Sequence, residues 1–319
     1  MNRVVISGAG GFVGANLVRR MLRDGHEVYL LLRRDHPSWR VDDILADVRV
    51  FEADVGDRER VRQAIRQIKP QWAFHLAVHG AYSWQTGLEE IVRTNILGTL
   101  NLVEACADAD VEVLVNTGSS SEYGYKDHAP LEAEVLEPNS HYAITKATAT
   151  MFCRYTAHNR GMRIPTLRLY SVYGPYEEPR RLIPSLIVKG LQSCLPPLAN
   201  PDTARDYVHV EDVVDAYVRA ASTSVGDAGA IFNVGTGVQT TLREIVQLTR
   251  SLLGVADAPR WGSLPDRTWD TAIWRADPTK IRTELGWTPR YDVDVGLAET
   301  IAWFREHATL RARYEREMA

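Results

Sequence analysis

Cysteine is scarce: Cys106, Cys153 and Cys194 are all that 319 residues contain. An odd number at wide spacing suggests neither a disulfide framework nor a zinc site. Long apolar runs are missing as well, and no stretch approaches the roughly 20 residues of a membrane span. There is no basic excess, since 37 Lys and Arg face 41 Asp and Glu for a net charge of -4. That balance argues against a nucleic-acid binder, whose footprint is a basic face. Internal repeats and low-complexity segments are absent. Of nine scattered histidines, only His75 and His79 sit four apart. They straddle a strand end rather than share a helix face, so no metal is expected. No signal-peptide pattern precedes the first strand, and the expected location is the cytoplasm. What remains is ordinary for a water-soluble protein with a large core, at 45% hydrophobic and 24% charged residues.

The most informative stretch is Val4-Val5-Ile6-Ser7-Gly8-Ala9-Gly10-Gly11-Phe12-Val13-Gly14. A short β-branched apolar run reads as a buried strand, and Phe12, Val13, Leu17, Val18, Met21 and Leu22 follow at helical spacing. Between them Gly8, Gly11 and Gly14 recur every third residue, the pattern of a dinucleotide-binding turn. Gly8 permits the turn, Gly11 admits the pyrophosphate, and Gly14 lets the helix close on the strand. The amides of Phe12 and Val13 open that helix, whose positive end faces the anion.

Further strands are expected at Glu27–Leu32, Val48–Ala53, Trp72–Leu76 and Val111–Val115. Helices are expected at Arg58–Ile68, Leu88–Ala107, Glu211–Ala221, Val238–Leu253 and Asp294–Phe304, with a frayed helical end at Arg311–Glu317. Alternation of this kind predicts an α/β fold, a doubly wound parallel Rossmann sheet with crossovers on both faces. Ligands collect at the carboxyl edge of such a sheet. Along that edge the expected cofactor contacts are Gly8, Gly11, Phe12, Val13, Gly14, Arg33, Arg34, Asp54, Val55 and Ala77. The end of the second strand selects the cofactor. An acid there binds the ribose of NAD, whereas arginine suits the 2′-phosphate of NADP. Leu32-Arg33-Arg34 favours NADP(H), with NAD possible through a displaced Asp35.

A polar loop, Asn116-Thr117-Gly118-Ser119-Ser120-Ser121-Glu122-Tyr123-Gly124, follows the fifth strand. Glu137-Pro138-Asn139-Ser140 then supplies helix-start chemistry, and Tyr142 and Lys146 fall four apart on one helical face. A lysine so placed is expected to lower the phenol pKa from its reference near 10.

The order Gly8-x-x-Gly11-x-x-Gly14, Ser119, Tyr142-x-x-x-Lys146 resembles the extended short-chain dehydrogenase/reductases that act on nucleotide sugars. Leu167 to Pro175, Arg205-Asp206-Tyr207-Val208-His209-Val210 and Asn233-Val234-Gly235-Thr236-Gly237 continue the likeness over essentially the whole chain. Ser171 stands where that family usually has asparagine, and in Arg267-Thr268-Trp269-Asp270 the middle pair replaces proline and glycine. The resemblance implies a cofactor domain over 1–169, with parts of 206–234 and 281–310 returning to it. It also implies a smaller discontinuous substrate lobe over 170–205 and 235–280. It makes Ser119, Tyr142 and Lys146 catalytic, with Tyr142 and Lys146 also touching cofactor. Substrate contacts are then His79, Ser120, Ser121, Ser171, Arg205 and Arg267, the two arginines on the diphosphate. Two helices from each chain are implied to form a homodimer's four-helix bundle.

The shared chemistry of such proteins is hydride exchange at a sugar carbon, most often C4. The Gly118–Gly124 loop and Arg33 resemble reductases of deoxysugar biosynthesis, the GDP-4-keto-6-deoxymannose reductase type. The expected function is therefore NADPH-dependent reduction of a nucleotide-diphosphate 4-keto-sugar. A 4-epimerase ranks second. A 4,6-dehydratase ranks third, because Ser119-Ser120-Ser121 replaces a Thr-Asp-Glu run and serines are poor acids and bases at neutral pH. A non-catalytic NADP-binding regulator would tolerate loss of Ser119, Tyr142 or Lys146, and all three are present.

Overall fold

The computed structural model of the chain describes residues 1–264 and 273–318. The order through the first half is β1 (Arg3–Ser7), α1 (Phe12–Arg23), β2 (Glu27–Leu32), β3 (Arg49–Glu52), α2 (Arg58–Ile68) and β4 (Trp72–His75). Then come α3 (Leu88–Val92), α4 (Gly98–Asp108), β5 (Val113–Ser119), α5 (His141–Arg160), β6 (Thr166–Leu169) and β7 (Ser171–Tyr173). The remainder is α6 (Leu182–Leu191), β8 (Ala204–Arg205), β9 (Tyr207–His209), α7 (Val210–Ser222), β10 (Ile231–Val234) and β11 (Thr240–Thr241), followed by α8 (Leu242–Leu253), α9 (Thr279–Leu285), α10 (Val293–Glu306) and α11 (Ala308–Glu317).

Seven strands form a parallel sheet in the order β10-β6-β5-β4-β1-β2-β3. The chain leaves β1 in one direction through β2 and β3 and in the other through β4 and β5. The carboxyl ends of β1 and β4, where Ser7 pairs with His75, are thus the switch point at which a ligand crevice opens. One face is covered by α1, α7, α9 and the segment after α9 through Leu17, Met21, Val213, Tyr217, Ile281 and Trp287. The other is covered by α2, α4 and α5 through Val61, Ile65, Leu102, Cys106 and Cys153. Side chains of this size stabilise by about 1.5–3 kcal/mol each when fully buried. A third cluster lies off the sheet and joins Ile183 and Leu186 of α6 to Ile245 and Val246 of α8. Helix α10 joins this cluster through Leu297, Ile301 and Phe304, while Ile281, Leu285 and Trp287 pack on the sheet.

Three elements depart from the sequence reading. β5 runs on to Ser119 because the polar residues after Val115 find partners within the sheet. Asn116 donates to Thr166 Oγ1 at 3.2 Å, and Thr117 Oγ1 donates to the His75 carbonyl at 2.7 Å. The expected single helix over 88–107 is interrupted by a π turn at Arg93–Leu97. The Thr99 hydroxyl donates to the Asn95 carbonyl in that turn at 2.7 Å. The C-terminal helix is no frayed end, since Tyr314 is fully buried and its hydroxyl donates to the Glu177 carbonyl at 2.6 Å.

Candidate active site

Two glycines of the first turn are sterically required. Gly8 holds φ +71°, and a Cβ there would collide with the Leu76–Ala77 backbone beyond β4. At Gly14 a Cβ would strike the Gly8 carbonyl, so α1 closes directly on the turn. Gly11 donates its N–H to the Gly8 carbonyl at 3.0 Å. It enters α1 with no capping side chain and no acid in the first turn. Phe12 and Val13, half-buried beside it, therefore open a helix whose end suits an anion. This cradle fits the pyrophosphate of a dinucleotide.

Arg33, Asp54, Val55 and Ala77 follow the ends of β2, β3 and β4 and so lie along the same edge as the glycine turn. Arg34 is 3.6 Å from Glu52, whereas Arg33 is exposed and makes no ion pair among the described residues. Asp54 accepts the Gly56 N–H at 2.8 Å and pairs with Arg93 at 3.2 Å.

Ser119 ends β5, and Tyr142 lies in the first turn of α5, where Ser140 caps by accepting the Ala143 N–H at 3.2 Å. The structure brings these two side chains close enough for the Ser119 hydroxyl to influence the ionisation of the Tyr142 phenol. One turn on, Lys146 is only 3% exposed. Burial pushes the Tyr142 phenol up to about 12, and the nearby Ser119 hydroxyl opposes this. The expectation of a depressed phenol is thereby corrected: desolvation of the phenolate outweighs the neighbouring charges. Burial likewise lowers the Lys146 pKa, with the Glu122 carboxylate working against it.

The sequence places Glu122 one position off the Thr-Asp-Glu register of a dehydratase and gives it no role in the site. It is fully buried, and its carboxylate accepts from the Ser119 N–H at 2.9 Å, Thr150 Oγ1 at 3.1 Å and Arg168 Nε at 2.8 Å. Its acceptor capacity is thus committed to the protein. Asn95 was also missed. Its side chain grips His79 at both backbone groups, accepting from N at 2.9 Å and donating to O at 2.8 Å. The same amide donates to Thr145 Oγ1 at 2.9 Å, and Thr145 in turn donates to the Tyr142 carbonyl at 2.9 Å. A buried polar residue among Ile91, Leu102 and Cys106 on one helix was the available signal.

On the substrate side, Ser120 accepts the Trp274 indole N–H at 3.2 Å. The Arg205 guanidinium lies over that indole, 4.7 Å from the ring centroid. Asp206, fully buried, accepts from Thr236 N and Oγ1, Gly237 N and Ala276 N, at 2.7–3.0 Å. One carboxylate so ties three distant segments together. Ser121 is half-buried beside Ser120, and Ser171 donates its N–H to the Asp206 carbonyl at 3.0 Å. Arg267 lies outside the described residues. Tyr82 and Arg181, absent from the sequence-based set, are near enough to Tyr142 to influence its ionisation.

The arrangement offers a proton donor, a hydroxyl on the same oxygen and a buried cation, all beyond the switch point of a dinucleotide fold. No carboxylate of the Ser119–Glu122 loop is free to act as acid or base.

The profile of the NAD dependent epimerase/dehydratase family matches residues 4–235. The chain is 31% identical over 317 residues to the UDP-glucose 4-epimerase of Mycolicibacterium smegmatis, covering 95% of this chain and 98% of that one. It is 29% identical to the dTDP-glucose 4,6-dehydratase of Streptomyces griseus, covering 95% and 94%. Among solved structures, the UDP-glucose 4-epimerase of Thermus thermophilus in complex with NAD aligns with a TM-score of 0.83 at 28% identity, covering 95% of this chain and 99% of that one.

Proposed function

Because the chain belongs to the NAD dependent epimerase/dehydratase family of extended short-chain dehydrogenase/reductases, we propose that it is a nucleotide-diphosphate sugar 4-epimerase. The observation that carries the reading is the Ser119–Tyr142–Lys146 group beside a loop whose carboxylate, Glu122, is committed to Arg168, Thr150 and the Ser119 amide. Dehydration needs a free acid and base near C6, and this loop supplies neither.

A bound nicotinamide supplies the hydride chemistry at the sugar carbon. Once bound, the oxidised nicotinamide's positive charge would add to that of Lys146 in favouring the phenolate, and the Tyr142 Oη would then take the proton of the C4 hydroxyl and return it when the carbon is reduced again. Ser119 hydrogen-bonds the same oxygen as its charge changes, which favours the transition state over the ground state. Lys146 holds positive charge beneath the phenol, and Glu122 keeps that charge tolerable in a buried setting. Arg205 and Arg267 are assigned to the substrate diphosphate, with His79, Ser120, Ser121 and Ser171 around the sugar.

The cofactor we assign is NADP(H), on the strength of Arg33, exposed and without an ion pair among the described residues at the end of β2. That same feature favours a second reading, NADPH-dependent reduction of a 4-keto-sugar. The active unit is taken to be a homodimer joined through α3–α4 and α5. Incubation with UDP-sugars and dTDP-sugars and their 4-keto forms, with product and cofactor measured by mass spectrometry, distinguishes the two reactions. Isomer formation without net cofactor consumption is expected. Stoichiometric NADPH loss establishes the reductase instead, and a 4-keto-6-deoxy product sinks both.

A further inference from the structure

We infer that His36 is a specificity-determining residue of this site, its imidazole receiving, together with Arg33, the phosphate carried on the adenosine ribose. The inference rests on the NADP(H) reading and adds to it a residue from outside the glycine turn and the arginine pair.

The His36 N–H donates to the Arg33 carbonyl at 3.1 Å, closing a turn that sets both residues beside the glycine loop. The imidazole lies directly on Gly10, where any Cβ would collide with Nε2. Gly10 sits between Gly8 and Gly11, and in a doubly wound fold the ribose rests between that turn and the end of β2. His36 occupies this junction. Its Nε2 is buried and has no well-aligned hydrogen-bond partner. Buried polar atoms left without partners are few in native proteins and invite a functional explanation.

The neighbouring charges suit a phosphate. Burial lowers the imidazole's pKa from its ordinary value, Arg33 and Arg40 act in the same sense, and a hydrogen bond with the Gly10 backbone opposes them. Arg40 is committed to Glu178 at 3.0 Å and to the Tyr176 carbonyl at 2.8 Å. Arg34 faces Glu52. Arg33 is left as the cation beside His36 without an ion pair among the described residues, and Asp35 between them is exposed to solvent.

The test is equilibrium binding of NADPH, NADH, adenosine 2′,5′-bisphosphate and AMP to the full chain and to its His36→Ala, His36→Gln and Arg33→Ala variants. Losing one charge-assisted hydrogen bond should weaken NADPH and the bisphosphate by about tenfold or more in His36→Ala. NADH and AMP should stay within about twofold, which also reports that the variant is folded. His36→Gln, which retains a donor, should recover part of the loss. Unchanged NADPH binding in His36→Ala, or equal losses for all four ligands, overturns the inference. If the parent protein itself binds NADH as tightly as NADPH, and AMP as tightly as the bisphosphate, the NADP(H) reading fails first.

Discussion

In the proposed reaction the chemistry assigned to Tyr142 lies in its phenol oxygen alone, so Tyr142→Phe should preserve fold and cofactor binding while turnover falls by about 10²–10⁴-fold. Single-turnover hydride transfer with saturating cofactor checks this, because it removes product release from the rate. Ser119→Ala should cost less, since an orienting hydrogen bond goes and the proton source stays. The sequence could single out Tyr142 and Lys146 because they share one short helical motif at the start of α5. Glu122 was not legible in this way, because its role depends on Arg168, which lies 46 residues away and meets it only through the β5–β6 pairing. Glu122→Gln should destabilise by about 3–5 kcal/mol, chiefly through the buried guanidinium left behind. Adding Arg168→Met should restore part of it in urea unfolding, and simple additivity of the two losses would show that the pair is not coupled. His75 gives a pH signature. It bonds Ser7 Oγ at 2.7 Å and Thr99 Oγ1 at 2.8 Å, and burial holds its pKa down at about 3. The unfolded state therefore binds more protons below pH 6.5, so this contribution is present above pH 6.5 and is lost as pH falls toward 3. The slope is up to about 1.4 kcal/mol per pH unit. Glu177, raised to about 7 by burial, runs the other way, its contribution lost as pH rises through that value. Comparing parent with His75→Asn isolates the histidine: the stability gap between them should narrow as pH drops from 6.5 to 4.5. A gap that is constant over that range rules this out.

At the scale of elements, periodicity located helices well and their limits less well. At the start of α8 and at the break ahead of α4, a polar side chain rather than an apolar pattern sets the boundary. Helix α8 begins at Leu242 because Thr241 and Glu244 form a reciprocal capping box, with the Thr241 N–H donating to Glu244 at 2.7 Å. The residues before it are then drawn into pairing with β8. The π turn at Arg93–Leu97 aims Asn95 at His79 and Thr145, a geometry that no count of apolar spacing reveals. Helix α11 reads as a charged tail, yet Tyr314 reaches Trp39, Trp303 and Phe304. One aromatic in a charged segment is weak periodicity and strong packing. Tyr314→Ala should therefore cost about 3–5 kcal/mol in urea unfolding, the range for removing a buried aromatic. A loss below about 0.5 kcal/mol would mean that the segment frays as its composition suggests.

At the scale of the molecule, the parallel sheet was readable because its strands and crossovers alternate along the chain. The third cluster was less so, since α6, α8, α10 and α11 reach it from separate stretches and Asp206 ties its loops together from a fourth. One surface asks for a partner. On α5, Ile144, Met151 and Tyr155 are 47%, 67% and 67% exposed at helical spacing, with Phe152 beside them. Leu88, Val92 and Leu97, 49%, 37% and 48% exposed, extend the apolar surface along α3 and the adjoining turn, which packs against α5. Contiguous apolar exposure on this scale is uncommon for a monomer and typical of an interface. Two helices per chain, related by a twofold axis, would bury both stripes in a four-helix contact where each patch meets its own copy. The expectation is a dimer of the 35.8 kDa chain at micromolar concentration in sedimentation velocity. Replacing Met151 and Tyr155 together by Glu should leave the monomer folded, because both side chains already face water in the single chain. It should break the dimer, because paired like charges at a desolvated interface are strongly unfavourable. A parent protein that sediments as a monomer, or a double variant that stays dimeric, would show that this surface serves something other than self-association.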